Sequence, residues 1–211
     1  TNTGTITLAE NAATTDVILS YTGTFGGADS ISVEFKNGTE PVASSSIEPD
    51  APYWTGSVNT AWNNVANWVG ITDITNLNTT SKIYIPSAAT RAPEVTGNLA
   101  AGSGTTKFYI GKNISSTGSM TFNGSIILDG NITLTATDVT ITGDTTLTGD
   151  TIFDATSVTF SGDVDSDGNN LTIGTNSNAT TATFAGDVIR TSTLTLYGNT
   201  TLSGAVTINV N

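Results

Sequence analysis

The 211-residue chain carries 18 acidic and 6 basic residues, a net charge of −12, although only 11% of its residues are charged. The basic residues are scattered rather than clustered, which argues against a nucleic-acid binder and against electrostatic docking on anionic lipid. The absence of cysteine and histidine excludes disulfides, thiolate metal sites and histidine-based triads, and no apolar run reaches the roughly 18 residues that a membrane-spanning helix needs.

Residues 1–50 are predicted to form an N-terminal β segment followed by a linker. Three short stretches between residues 1 and 40 alternate apolar and polar side chains, as strands do. The stretch "VASSSIEPDAP", residues 42–52, indicates a linker or crossing segment. Since three strands make a thin domain on their own, we expect them to pack on the rest of the chain or to pair with another chain.

Residues 51–107 are predicted to form a tryptophan-rich cap and a first coil. All three tryptophans of the chain, Trp54, Trp62 and Trp68, lie in this region. We expect them to form a hydrophobic plug, because an open solenoid end would expose its core. The alternative is an aromatic platform that binds sugars.

The order of motifs in this region resembles the lead-in of secreted bacterial parallel β-helix proteins. The motifs are W-T-G at residue 54, W-N at 62, N-W at 67, and the strand I-Y-I-P at 83 with a further proline at 93. The proteins that it resembles include adhesins and autotransporter-like passenger regions. The resemblance implies a parallel β-helix with adhesive or structural work at the cell surface, and it carries no catalytic residue over to this chain.

Residues 108–211 contain near-identical strands at regular intervals. A first series begins at residues 120 (MTFNGS), 139 (VTITGD), 158 (VTFSGD), 182 (ATFAGD) and 206 (VTINVN). A second series begins at residues 108, 132, 152, 171 and 194, and a third, weaker one contains residues 126–128, Leu147, Val164 and Val188. Three strands in each unit of 19 to 24 residues are typical of a parallel β-solenoid.

The predicted fold is therefore all-β, a right-handed parallel β-helix preceded by the N-terminal β segment. Alternation along the first series predicts one inward column: Phe122, Ile141, Phe160, Phe184 and Ile208. It also predicts one outward ladder: Thr121, Thr140, Thr159, Thr183 and Thr207. The glycine after each strand is expected to turn the corner with a positive φ. A β-sandwich is the alternative fold, but it gives no reason for one hexapeptide to recur in register.

Asp163, Asp165 and Asp167 precede a glycine on alternate positions, as ligands do at the start of many calcium loops. A helix–loop–helix calcium loop would need a carboxylate at position 174, which is a glycine. Asp163 is also the corner residue of its coil, equivalent to Asp144 and Asp187, and we expect these three to stack. We therefore favour turn chemistry and no cofactor, with a looser calcium site as the alternative.

The leading functional hypothesis is a non-enzymatic extracellular or cell-surface structural protein, a fibre or surface-layer subunit that self-associates head to tail through strand edges. Strand-like segments near both termini motivate it, and heavy use of Thr, Ser, Asn and Gly without cysteine suggests an exported protein. The alternative is a glycan-binding adhesin module.

Two further alternatives are weaker. A polysaccharide-active enzyme would need a carboxylate pair such as Asp163 and Asp187, with Arg190 expected near Asp187. An ice-binding protein would use outward threonines, but the Thr-x-Thr pattern does not hold one register over every coil.

Glycosylation is permitted rather than indicated. By chance, about six N-x-S/T sequons would occur in a chain of this composition. Eight are present, beginning at Asn37, Asn78, Asn113, Asn123, Asn131, Asn170, Asn178 and Asn199.

Overall fold

A computed structural model describes residues 31–37, 40–47, 51–203 and 205–210, the first two ranges as backbone only. Strands β1 (Ile31–Asn37) and β2 (Glu40–Ile47) form an antiparallel hairpin, which within these ranges is a sheet of its own. β2 occupies part of the stretch predicted as a linker from residue 42, because pairing with β1 along its length outweighs the lack of an alternating apolar pattern. The other strands predicted before residue 31 lie outside the described residues.

A short mixed region ends the parallel stacking on the N-terminal side of the solenoid. It consists of β3 (Tyr53–Trp54), the 3-10 helix η1 (Val65–Asn67), β4 (Trp68–Val69), the 3-10 helix η2 (Ile74–Asn78) and β5 (Lys82–Ile85). β3 pairs with β5 in parallel and with β4 in the opposite direction. The antiparallel β4 is therefore the last strand on this side of its sheet in the described chain.

The strands that follow wind into a parallel β-solenoid of about six turns. In chain order they are β6 (Glu94–Val95), β7 (Leu99–Ile110), β8 (Ile114–Ser116), β9 (Met120–Leu128), β10 (Ile132–Thr135), β11 (Asp138–Ile141), β12 (Thr145–Leu147), β13 (Thr151–Asp154), β14 (Ser157–Phe160), β15 (Val164–Asp165), β16 (Asn170–Ile173), β17 (Thr181–Phe184), β18 (Val188–Thr191), β19 (Thr193–Leu196), β20 (Thr200–Leu202) and β21 (Ile208–Val210).

The solenoid has three faces, and neighbouring strands on each face run parallel. Face 1 contains the first parts of β7 and β9, followed by β11, β14, β17 and β20. Face 2 contains β5, the second parts of β7 and β9, and then β12, β15, β18 and β21. Face 3 contains β6, β8, β10, β13, β16 and β19. Because β7 and β9 continue from face 1 into face 2, these two faces belong to one sheet.

Side-chain alternation fills the interior with columns of apolar residues. On face 1 the strands place Phe122 beside Ile141, Ile141 beside Phe160 and Phe160 beside Phe184, and all four side chains are fully buried. The rings of Phe160 and Phe184 stack with centroids 5.2 Å apart. The predicted parallel β-helix is confirmed, and so is its inward column over these four coils.

The last coil differs from the predicted one. Leu202, not Ile208, lies beside Phe184, and Thr201, not Thr207, continues the outward threonine ladder. Ile208 instead pairs with β18 on face 2. Two segments of this coil match the strand pattern equally well, and the observed register places the earlier one, β20, on face 1.

The second predicted series is also placed differently. Phe108 lies on face 2 rather than on face 3. β13 pairs with β10 one residue earlier than predicted, so that Thr151 points inward and Ile152 is 38% exposed. The fully buried Phe153 explains this shift, because alternation forces the residue before it outward.

Glycines at the corner after face 1 let the backbones of adjacent coils approach closely. Gly124, Gly143, Gly162 and Gly186 form a column there, and a Cβ on Gly162 would lie 2.7 Å from the carbonyl carbon of Gly143. Of these four, Gly124 alone has a positive φ, of 143°. The predicted reason for the glycines, a left-handed corner, is therefore wrong for most of the column, which needs glycine because no Cβ fits.

We expect Gly162→Ala to lower the free energy of unfolding by about 1–3 kcal/mol, because the added methyl group must push two coils apart. Urea unfolding followed by circular dichroism measures this change. Gly104→Ala is the matched control, since a Cβ there meets no atom within 4 Å. Equal losses of stability in the two variants would contradict the close-packing explanation.

Candidate functional site

The corner aspartates bind the backbone of the next coil. Asp144 Oδ1 accepts the N–H of Asp163 at 3.1 Å, and Asp163 Oδ1 accepts the N–H of Asp187 at 2.8 Å. Asp187 Oδ1 in turn accepts the N–H of Thr207 at 2.7 Å. The three aspartates lie in one stack, and the contact of Asp163 is that of a turn residue.

The same type of hydrogen bond, from a backbone N–H to a side-chain oxygen of the preceding coil, occurs at the corner before face 3. Asn131 Oδ1 accepts the N–H of Asp150 at 3.1 Å, and Asp150 Oδ1 accepts the N–H of Asn170 at 2.9 Å. At both corners the acceptor side chain belongs to the earlier coil and the donor N–H to the later one. Each coil therefore fixes the corner of the coil that follows it.

Asp165 and Asp167 hold Arg190 of the next coil. Arg190 Nε donates to Asp165 Oδ1 at 2.8 Å, and the two terminal nitrogens of the guanidinium contact Asp165 Oδ2 and Asp167 Oδ1. The sequence predicts Arg190 near Asp187 instead. The register decides otherwise, because it pairs Ile189 with Asp165 and so brings the next residue to the Asp165 turn.

This cluster joins the turn at Asp167 to an irregular part of strand β18, and the backbone is unusual at both places. Arg190 and Asp167 have φ angles of 53° and 46°, in the left-handed region that residues with a Cβ seldom adopt. The N–H of Gly168 donates to the carbonyl of Arg190 at 2.6 Å, which joins the turn to β18. Hydrogen bonds from the Arg190 guanidinium lower the pKa of the Asp165 carboxyl, and partial burial opposes this effect.

The three candidate calcium ligands are thus divided between two different contacts. Asp163 accepts a backbone N–H, whereas Asp165 and Asp167 face a guanidinium. Within the described residues, no three acidic side chains converge on one position for a metal ion. A calcium ion at Asp165 and Asp167 would have to displace Arg190.

The three tryptophans lie inside the N-terminal end of the solenoid. Trp54, Trp62 and Trp68 are 0%, 4% and 5% exposed. The Trp62 and Trp68 rings meet edge to face with centroids 4.8 Å apart, and Trp54 stacks on Trp62 at 6.3 Å. These rings face one another, so they do not present a sugar platform to solvent.

Asn67 fixes the loop that carries these tryptophans. It is fully buried, and its Oδ1 accepts the N–H groups of Val58 and Asn59, each at 3.0 Å. Its Nδ2 donates to Asn59 Oδ1 at 2.7 Å and to the carbonyl of Ala61 at 3.0 Å. Trp68 Nε1 donates to a carbonyl 2.9 Å away as well. The fold of this loop therefore explains both residues of the N-W motif, Asn67 and Trp68.

Face 1 carries an unbroken column of outward threonines. Strand register pairs them one with the next in the order Thr121, Thr140, Thr159, Thr183 and Thr201. None of these five hydroxyls forms a hydrogen bond with a residue that the structure describes. The column thus offers solvent a row of hydroxyls at the spacing of parallel strands, about 4.8 Å.

Comparison with known proteins identifies no relative. No protein-family profile matches the chain, and no curated protein or solved structure is significantly similar to it. In the described part of the chain, no helix has both the length and the apolar content needed to cross a membrane.

The Arg190 cluster should make stability depend on pH. A carboxyl whose pKa is lower in the folded state stabilises the protein above its unfolded pKa, and this stabilisation is lost as the pH falls through the folded value. For Asp165 that loss begins near pH 4 and continues below it, because the folded pKa lies below 3.8. We expect Arg190→Gln to reduce the difference in free energy of unfolding between pH 6 and pH 3.

Urea titrations of both proteins at the two pH values provide the measurement. Arg91→Gln is the control, because Arg91 donates to the carbonyls of Gly56 and Ser57 rather than to a carboxylate. It should lower stability equally at both pH values. A pH dependence in Arg190→Gln that matches the wild type would refute the role of this ion pair.

Proposed function

We propose that this chain is a non-enzymatic, extracellular or cell-surface structural protein that self-associates through the strand edges of its last coil. The observation that carries the proposal is that the last described coil combines open strand edges with exposed apolar side chains. β19, β20 and β21 each lie at the end of their strand order, so within the described residues each pairs with a strand on one side only. An unpaired edge offers N–H and C=O groups to another strand.

Apolar side chains accompany these open edges. Leu202, Ile208 and Val210 are 47%, 38% and 49% exposed. Leu202 continues the buried column that contains Phe184, so one more strand stacked on β20 would bury it as Phe184 is buried. Within the described residues, no strand covers the interior of the solenoid beyond this coil, whereas Trp54 and its neighbours fill the other end.

A second copy of the chain is the partner that we propose. Its β1–β2 hairpin forms a sheet of its own in the described ranges, so a strand of one copy can extend the open sheets of another. This contact joins two different surfaces, and contacts of that kind build open filaments rather than closed dimers. The support for a place outside the cell is the composition, which is rich in Thr, Ser, Asn and Gly and has few lysines and no cysteine.

We expect the wild-type chain to form filaments or oligomers whose mass rises with concentration. The double variant Ile208→Lys with Val210→Lys should stay monomeric, because lysine on an edge strand blocks further pairing. Multi-angle light scattering and negative-stain electron microscopy measure both results. Ile152→Lys is the control, since Ile152 is 38% exposed but lies on β13, a strand with paired neighbours on both sides.

Circular dichroism must show that every variant remains folded. A wild-type chain that is monomeric at high concentration would rule the proposal out. Undiminished assembly of the edge variant, or equal loss of assembly in Ile152→Lys, would do the same.

Ice binding is a second candidate function, favoured by the threonine column of face 1. The sequence predicts this single ladder as far as Thr183, and the structure aligns five threonines, ending at Thr201, on consecutive strands. A row of hydroxyls with the fixed spacing of parallel strands, and without hydrogen-bond partners in the described chain, can order water along the face.

Thermal hysteresis tests this second function. We expect the wild type to lower the freezing point below the melting point, and Thr140→Lys with Thr159→Lys to abolish the gap by interrupting the row. Thr146→Lys is the control, because Thr146 pairs on face 2. No hysteresis in the wild type, or its loss in the control as well, would eliminate ice binding by this face.

A further inference from the structure

A cavity of about 240 Å³ lies beside the tryptophan cluster, between η2 and the first part of β7. Its floor is apolar and contains the buried side chains of Leu77 and Leu99. Its rim contains Asn63, Asn78 and Thr96, which are exposed. Among the described residues that line it, none carries a charge.

The asparagines of this region divide into two groups. Those away from the cavity hold loops together: Asn64 Oδ1 accepts the N–H of Ala66 at 3.1 Å, and Asn76 Oδ1 accepts that of Asp73 at 2.9 Å. Buried Asn67 uses both its oxygen and its nitrogen, as described above. Their positions are explained by the fold.

The rim residues are uncommitted. The side chains of Asn63, Asn78 and Thr96 form no hydrogen bond with any described residue. Asn98, which also lines the cavity, accepts the N–H of Ser119 at 3.0 Å through Oδ1, which leaves its Nδ2 available. Amides that both donate and accept hydrogen bonds, and that the fold does not use, therefore surround an apolar floor.

We propose that this cavity binds one neutral pyranose residue of a glycan. A pyranose has an apolar C–H face that suits the floor formed by Leu77 and Leu99, and hydroxyls that both donate and accept, as the amides of Asn63 and Asn78 do. The uncharged lining gives an anionic or cationic ligand no countercharge. The volume lies below the range of roughly 300–1,000 Å³ that is usual for larger ligands, so it suits a single ring.

This site goes beyond the proposed structural function and does not depend on it. The cavity is built from residues 62–101, whereas the open edges belong to residues 193–210. The monomeric edge variant, Ile208→Lys with Val210→Lys, can therefore be used for the titrations. Sugar binding and assembly are then measured separately, and either can fail without the other.

Isothermal titration calorimetry with glucose, galactose, mannose, N-acetylglucosamine and their β-linked disaccharides tests the proposal. The protein should be produced in a bacterial cytoplasm, because Asn78 begins a sequon and an attached sugar would cover the cavity. We expect saturable binding of at least one neutral sugar at millimolar or lower concentration. Glucuronate and glucosamine should bind more weakly than their neutral parent.

Two cavity variants locate the binding. Asn78→Ala and Thr96→Val should each weaken it about three- to tenfold, the effect of losing one hydrogen bond between neutral groups. Asn123→Ala is the matched control, since Asn123 is also an uncommitted asparagine but lies on β9, outside the cavity. The affinity of Asn123→Ala for the sugar should equal that of the parent. The melting temperatures of all three variants should also equal that of the parent.

Three results would each overturn the proposal. They are the absence of saturable binding across the neutral sugars, affinities in Asn78→Ala and Thr96→Val equal to that of the parent, and an equal loss in Asn123→Ala.

Discussion

In-register stacking of parallel coils is the constraint on which the rest of this structure depends. Each strand pairs with its equivalent about 4.8 Å away, so every side chain lies against the residue in the same position of the next coil. Columns of like residues are the consequence: Phe160 stacks on Phe184, and Gly162 packs on Gly143. Extra residues are tolerated only outside the columns. The turn between β16 and β17 is an example: its additional residues form a separate loop, closed by an antiparallel bridge between Thr175 and Asn178.

The same stacking brings like charges together in a chain with a net charge of −12. Asp144, Asp163 and Asp187 would repel one another at this spacing. Each carboxylate accepts a backbone N–H from the following coil, and these dipoles take the place of countercharges. Asp165 and Asp167 lie beyond this corner, and their carboxylates form ion pairs with Arg190 instead. Neither arrangement requires a metal ion.

The regular part of the fold was predictable from sequence because the repeated hexapeptide fixes both the inward and the outward residue of each coil. The last coil was not, since two segments fit the pattern and Leu202 rather than Ile208 reaches face 1. The partner of Arg190 could have been found, because Arg190 follows Asp165 by 25 residues, about one coil. The amide-lined cavity could not have been predicted, because Asn63, Asn78 and Asn98 lie in segments where the sequence shows no repeat.

The two ends of the solenoid differ chemically, and this difference gives the molecule a direction. At the N-terminal end a strand of opposite polarity, β4, follows β3, and buried Asn67 ties the loop that holds the tryptophans. On face 2 the strand order at this end therefore finishes with an antiparallel strand. At the last described coil, β19, β20 and β21 run parallel to the strands beside them, and Leu202 lies in the position of Phe184. The assembly that we propose would therefore extend the last coil, and the sugar site that we propose beside Trp62 lies at the opposite end of the solenoid, so neither event would obstruct the other.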